Sequence, residues 1–362
     1  MKIGIVLHPY DEEKPSGLGR FIFELTAEMA RQGSEHEFLL YLKKAPRIPL
    51  KLPGDNWKVL AGAGGGIFWM DMLLKRNEKA DVYIFNTPAM PLFWKPPRSI
   101  VIALDFAYKK LPTSSLVHFF KNQFLLLYHA RSLSRATHVV ATSRATKNDC
   151  IRFFGIPEEK MIIIYPGFTR ICSLPPKEVA IPPKYFFYIG TIKERKNVLN
   201  LVKAFILFKE KTNFPHKLLI GGNNSGTYYE TIRRYIQEKG RENDVLFLGY
   251  ISDEEASFVH RHAEAFVFVT LVEGSFGMPV LEAMDCGTPV ITSDTETSLE
   301  LREAKAALLA DPYDSTAIAE AMKNIASDKA LREKIAANGK AFSQKISWEI
   351  MAREMLDLVK KL

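Results

Sequence analysis

The sequence predicts an α/β protein built as two domains, each a parallel sheet wound with helices. Three observations predict it. The chain has 362 residues, more than one ordinary hydrophobic core takes up and enough for two. Apolar runs of strand length alternate with segments of helical period from end to end, the pattern of parallel strands joined by crossover helices. A proline-rich break divides this alternation, since Gly167 to Lys184 carries Leu174-Pro175-Pro176 and Ile181-Pro182-Pro183, a composition that favours an extended linker over a helix or a central strand.

In the first half, strands are expected at Lys2 to Leu7, Glu37 to Leu42, Trp57 to Ala61, Asp81 to Phe85, Ser99 to Leu104, His138 to Ala141 and Met161 to Tyr165. In the second they are expected at Tyr185 to Ile189, Lys217 to Ile220, Val245 to Leu248, Ala265 to Val269, Pro289 to Thr292 and Ala307 to Ala310. Trp348 to Leu362 spaces Ile350, Met351, Met355, Leu358 and Val359 as an amphipathic helix. The expected organisation is a first domain over 1–168, a linker over 169–184, a second domain over 185–342 and a closing helix over 343–362. Two such domains invite a cleft between them.

Composition narrows the function classes. Hydrophobic residues make up 47% and charged residues 25%, which fits a globular chain and neither disorder nor a membrane-spanning bundle. The longest apolar candidate, Phe124 to Tyr128, is far below the roughly 18 residues a spanning helix needs. The first apolar run, Ile3 to Leu7, reads as a buried strand and is too short for a signal peptide. Cys150, Cys172 and Cys286 show neither paired nor metal-ligand spacing, so no disulfide and no zinc site is expected, and a reducing cytoplasm fits. The formal charge of +8 implies an anionic partner. A solvated basic surface and peripheral contact with an anionic membrane both remain open. No recognition motif accompanies the charge, so nucleic acid is not expected.

The segment from Leu271 to Ile291 is the most informative. A buried strand ends before it, a glycine-bearing loop follows, and Pro279 stands where a helix should begin, because its missing N–H costs nothing there. In open α/β sheets this edge binds ligands, and a helix start favours anionic groups. Glu273 precedes the turn and Glu282 lies in the first turns of the helix. One carboxylate is placed to reach a sugar while the other accepts ribose hydroxyl protons; the simpler alternative is a loop charge and a helix-dipole partner. The second segment, Phe187 to Asn197, puts Arg195 and Lys196 in a loop at the same edge, with Asn197 as N-cap of a helix burying Val198, Leu201, Val202, Phe205 and Ile206. Two fixed cations suit a diphosphate leaving group, on which cleavage builds negative charge. By itself such a pair is as simply a solvated one.

Together these segments resemble family 4 of the retaining glycosyltransferases, and the resemblance covers nearly the whole chain. Gly17-Leu18-Gly19-Arg20 looks like that family's glycine-rich loop after the first strand, Val245 to Glu255 like its base-binding stretch, and Tyr165-Pro166-Gly167 like the end of its first domain. The resemblance implies the GT-B fold, two Rossmann-like domains facing across a cleft, with the C-terminal helix packing back on the first. It implies transfer of a hexose of mannose or glucose type from a GDP- or UDP-sugar to a glycan or lipid-linked acceptor, as in cell-envelope polysaccharide assembly, with no cofactor and no metal. By residue it implies Glu282 on the ribose, Arg195 and Lys196 on the diphosphate, and Glu273 with the backbone of Ser275, Phe276 and Gly277 at the transferred sugar. Gly17, Gly19, Gly190, Thr191 and Met278 join the donor site, and Tyr250 and Ile251 lie at the base. The implied chemistry is front-face substitution with retention, in which a phosphate oxygen helps remove the acceptor proton and no enzyme nucleophile is needed.

Two departures from the family pattern are visible. Eight residues separate Glu273 from Glu282 where the pattern has seven, which puts Gly274 at the strict position. Leu104 stands where many members carry the His of a His-Asp pair, although Asp105 is present, either to position the acceptor or balance developing charge or simply as a strand-end turn residue. These departures keep a non-catalytic nucleotide-binding scaffold in view, and the same architecture also suits a sugar-nucleotide epimerase. His8 and His118 are more simply structural or solvated, and Gly62 to Gly66 more simply a flexible loop, since no Lys-Ser/Thr follows it.

Overall fold

The computed structural model describes residues 1–8, 17–46, 49–64, 66, 68–111 and 116–362. Gly65, part of the glycine run, lies outside the described residues, as does the stretch 9–16 that follows the first strand. The chain divides into two compact units, Met1–Gly167 with Ile346–Leu362, and Phe168–Lys345.

The first unit contains strands β1 (Lys2–Leu7), β2 (Glu37–Leu42), β3 (Trp57–Ala61), β4 (Val82–Phe85), β5 (Ser99–Ala103), β6 (His138–Ala141) and β7 (Met161–Ile163). They form one seven-stranded sheet in the order β3-β2-β1-β4-β5-β6-β7, parallel throughout. Helices α1 (Gly17–Gln32), α2 (Trp69–Arg76), α3 (Ala107–Lys110), α4 (Leu116–Arg135) and α5 (Arg144–Phe154) connect it. The central strands are buried on both faces, as a sheet covered by helices requires. β5 stops at Ala103 because the Leu104 carbonyl turns to accept the hydroxyls of Thr142 and Thr146, each at 3.2 Å.

The second unit contains β8 (Tyr185–Ile189), β9 (Lys217–Gly221), β10 (Val245–Gly249), β11 (Ala265–Phe268), β12 (Val290–Ser293) and β13 (Leu308–Ala310). Their order is β10-β9-β8-β11-β12-β13, again parallel. Helices α6 (Val198–Lys211), α7 (Thr227–Glu238), α8 (Asp253–His262), α9 (Met278–Asp285), α10 (Leu299–Glu303), α11 (Ser315–Ser327) and α12 (Lys329–Ser343) complete it. In both sheets the first strand sits beside the fourth and the order reverses there, the arrangement of a Rossmann sheet at its switch point.

The last helix, α13 (Trp348–Lys360), returns to the first unit and lies along α1. Ser347 caps it by accepting the Ile350 N–H, and its buried face is Trp348, Met351, Ala352, Met355, Leu356, Leu358 and Val359. Trp348 meets Phe21 edge-on at 5.6 Å, and Gln32 Nε2 donates to the Glu349 carbonyl at 3.0 Å. The expected closing helix therefore packs back on the first unit.

One expectation is corrected here. Cys172 and Cys286, 114 residues apart, form a disulfide with Cα atoms 5.3 Å apart. Sequence spacing shows nothing of a pair that only the fold brings together, and with the pair goes the ground for inferring a reducing compartment. Cys150 alone is free and buried, its thiol pushed up to about 12 by burial. The start of the proline-rich stretch, from Arg170 to Lys177, contacts the second unit. Ile171–Ser173 makes one helical turn, Arg170 pairs with Asp285, Arg261 donates to the Cys172 carbonyl, and Lys177 Nζ pairs with Glu255 at 2.8 Å.

Candidate functional site

The strongest concentration of expected site residues lies in the second unit, at the C-terminal edge of its sheet. Neighbouring strands β8 and β11 leave the sheet there in loops that must turn opposite ways, which opens a crevice between them. Four hydrogen bonds tie these loops to each other and to the loop after β13. The Leu271 N–H donates to the Arg195 carbonyl at 3.0 Å. Asn197 Nδ2 donates to the carbonyls of Val269 at 2.9 Å and Pro312 at 2.6 Å. Lys196 Nζ donates to Glu273 Oε1.

Asn197 departs from its expected role. It precedes α6 with φ at 59°, in the left-handed region that Asn tolerates better than most residues, and its side chain makes no cap. The amide is spent on the β11 loop instead, because the turn Glu194–Lys196 swings it inward. That turn fixes the two cations. Lys196 is nearly buried, its ammonium 5.0 Å from the centre of the Phe268 ring, and Arg195 Nη1 lies 3.7 Å from Glu273 Oε1.

Beneath them, Tyr188 stacks on Phe268 with centroids 5.9 Å apart. Burial first, and then the charge of Glu273, hold the Tyr188 phenol well above its ordinary range, so it stays protonated and donates to the Thr191 carbonyl at 3.1 Å. Gly190 and Thr191 are thereby positioned on a rigid aromatic floor. The floor continues at β9, where a Cβ on Gly222 would lie 2.2 Å from the Gly190 carbonyl oxygen, so only glycine permits that approach.

After β11 the chain passes Glu273, Gly274, Ser275 and Phe276 before entering α9 through Gly277. Gly277 has φ at 87°, and a Cβ there would come 3.0 Å from Phe268, so glycine is required on both counts. Pro279 occupies the second helical position, one later than expected. Phe276 turns its side chain into the core against Phe342, at 5.3 Å. The Ser275 hydroxyl and Arg195 Nη1 are buried without a hydrogen-bond partner among the described residues. Buried polar atoms are rarely left so. Ser275 lies three residues before Met278, where α9 begins, and half-buried Glu282 follows one turn on.

Other expected residues lie elsewhere. Tyr250 and Ile251 follow β10, two strands from β8 across the same edge. Tyr250 is 90% exposed and Ile251 is buried. Gly17 and Gly19 form the first turn of α1 in the first unit rather than a loop, with Gly17 exposed and Gly19 buried. Asp105, exposed after β5, accepts the Ala107 N–H at 3.2 Å, a turn-forming contact. His8 packs on Trp69 at 5.3 Å and His118 is exposed. No cluster of three or more His, Cys, Asp or Glu suited to a metal occurs among the described residues. Tyr188 and Phe268 were not expected as site supports. Their only sequence signal is an aromatic near the end of each of two apolar strands, which also describes ordinary core.

A double Rossmann-type chain with cations and a helix start at its second switch point defines the class of GT-B glycosyltransferases. The profile named Glycosyltransferase Family 4 matches residues 15–169, and that named Glycosyl transferases group 1 matches residues 176–342. The chain belongs to this glycosyltransferase family. It is 30% identical over 240 residues to the O-antigen chain mannosyltransferase B of Escherichia coli, a match spanning 64% of this chain and 62% of that one. The chain thus spans less than two thirds of that relative's length. Among solved structures, sucrose-phosphate synthase from Thermosynechococcus elongatus superposes with a TM-score of 0.80 at 19% identity, covering 99% of this chain and 98% of that one. Anabaena Alr3699/HepE, in complex with UDP and glucose, gives 0.77 at 19% identity with both chains fully covered. At these identities the likeness shows the fold.

Proposed function

We propose that the chain is a retaining, metal-independent hexosyltransferase. It moves a mannose- or glucose-type sugar from a GDP- or UDP-sugar to a glycan or lipid-linked acceptor in cell-envelope polysaccharide assembly, at the cytoplasmic face of the membrane. One observation carries the reading: Arg195 and Lys196 meet at Glu273, two residues before the unpartnered Ser275 hydroxyl in the loop that enters α9. Leaving-group departure concentrates charge on a diphosphate, and fixed cations with helix N–H groups stabilise that charge more than the ground state. Glu282 takes the ribose hydroxyls, Glu273 and the backbone from Ser275 to Gly277 hold the sugar, and Asp105 serves the acceptor. Gly17, Gly19, Gly190, Thr191, Tyr250, Ile251 and Met278 complete the donor contacts. The named activity of the Escherichia coli relative supports mannose as the sugar, and the UDP complex of the Anabaena protein supports a nucleotide site on this fold.

The test is transfer from GDP-mannose and UDP-glucose to membrane-extracted saccharide acceptors, with the anomeric configuration of the product read by NMR. Retention of the donor's configuration, unaffected by a chelator, is the expected result. An inverted product overturns retention, and loss of turnover with the chelator overturns metal independence.

A further inference from the structure

We propose that the exposed face of α4 and the adjoining loop is a docking surface for an anionic lipid bilayer. The proposal starts from charge. From Val82 to Asn148 the chain has nine lysines and arginines and one carboxylate, Asp105. That segment alone carries a net charge equal to the +8 of the whole chain, and the remaining residues balance. Lys110 and Lys147 pair with Asp149 and Glu158, and the remaining cations leave this stretch of the first unit basic.

The same segment is where the largest apolar side chains stand in water. Helix α4 has twenty residues, of which only Ser132 and Leu133 are buried. Leu116, Phe120, Phe124 and Leu127 recur at helical spacing along one stripe and are 77%, 69%, 48% and 71% exposed. The loop beside the helix extends the stripe. Arg131, one turn beyond Leu127, donates to the Leu92 carbonyl at 3.0 Å, and Arg135 donates to the carbonyls of Pro91, Leu92 and Trp94. Tyr128 donates to the Met90 carbonyl at 2.8 Å. These bonds hold Phe93, 72% exposed, next to α4, with Phe68 against it at 5.5 Å. Lys95, two residues after Phe93, and Lys121, next to Phe120 on α4, are exposed as well.

Contiguous exposed apolar surface on this scale marks an interaction site. Charge selects its occupant. A second copy of the chain across a two-fold axis would bring the same cations face to face, whereas an anionic bilayer neutralises them while its interior accepts the aromatic and leucine side chains. No described helix is long and apolar enough to cross a membrane, so α4 would lie in the interface. The proposal rests on the lipid-linked-acceptor reading only for its purpose; binding to lipid is independent of catalysis.

The test uses the full chain and liposome flotation without donor or acceptor. Vesicles of phosphatidylglycerol and phosphatidylethanolamine are compared with vesicles of phosphatidylcholine. Binding to the anionic vesicles, weakened by salt, is expected. The double variant Phe120→Ser/Leu127→Ser, at exposed positions, should lower partitioning about tenfold or more with an unchanged melting temperature, and Lys121→Glu about fivefold. Absence of anionic-vesicle binding, equal binding to both lipids, or a concentration-dependent dimer abolished by the double variant each overturns the proposal. Transfer to a soluble acceptor analogue by the same variants reports separately on the catalytic reading.

Discussion

One oxygen of Glu273 serves both site cations: it accepts from Lys196 Nζ and lies 3.7 Å from Arg195 Nη1. The added loop residue before Ser275 thus does not carry Glu273 away from the site. It sets the carboxylate on the two cations proposed to engage a diphosphate. Glu273→Gln should then raise affinity for a free nucleoside diphosphate about three- to tenfold, since a neutral amide competes less for those cations, while transfer activity falls. Calorimetric titration of the variant checks this, and unchanged or weaker diphosphate binding contradicts it.

Removing the cation has the opposite sign. Lys196→Ala should weaken diphosphate binding about tenfold to a hundredfold, the worth of a charge-assisted hydrogen bond. It also leaves Glu273 without its main partner, which should cost roughly 1–3 kcal/mol of stability. Glu282→Ala, on the half-buried face of α9, should weaken nucleotide diphosphate binding while leaving the fold intact. Full affinity in both variants removes them from the site.

The disulfide ties the segment entering the second unit to the C-terminal end of α9 across 114 residues. A cross-link over so long a loop restricts the unfolded chain, so Cys172→Ser/Cys286→Ser should cost about 2–4 kcal/mol. Scanning calorimetry with and without a dithiol reductant measures it. A melting profile indifferent to reductant, with both thiols open to maleimide, contradicts the pairing.

Acid should loosen the second unit through His260. Its ring is fully buried among Phe187 and Phe266, at 4.9 and 5.0 Å, with neither nitrogen hydrogen-bonded, and burial pushes its pKa down to about 3 from 6.5. Between those values the unfolded chain binds a proton that the folded chain refuses. Stability from this group is complete above about pH 6.5 and is lost as pH falls, by about 1.4 kcal/mol per pH unit once well below it. His260→Phe should flatten that limb in urea unfolding measured from pH 7 to pH 4. An equally steep limb in the variant assigns the acid sensitivity elsewhere.

Much of this was legible in the sequence, for reasons particular residues make plain. Parallel strands such as Val82–Phe85 and Ala265–Phe268 are buried on both faces and read as unbroken apolar runs, so all thirteen expected strands are present. Glycine and proline at 277 and 279 announced the loop entering α9, because their backbone constraints are local. What depended on distant partners was hidden. Asn197 had the composition of a cap, yet Val269 and Pro312 take its amide. Cys172 and Cys286 looked unrelated until α9 and the turn at Ile171–Ser173 met. Gly17 and Gly19 looked like a loop and are helical, since glycine permits a turn without requiring one.

The central claim is that the crevice beside Arg195, Lys196 and Ser275 holds a nucleoside diphosphate. The most direct measurement is the melting temperature of the purified chain against UDP, GDP, ADP and their common hexose conjugates, because a ligand that binds only the folded state raises its stability by about 2.7 kcal/mol at a hundredfold excess over Kd. The account predicts a clear upward shift with one base, shared by its diphosphate and sugar forms and halved or more in Lys196→Ala. A well-folded chain whose melting no nucleotide moves, or a shift that Lys196→Ala leaves intact, contradicts it.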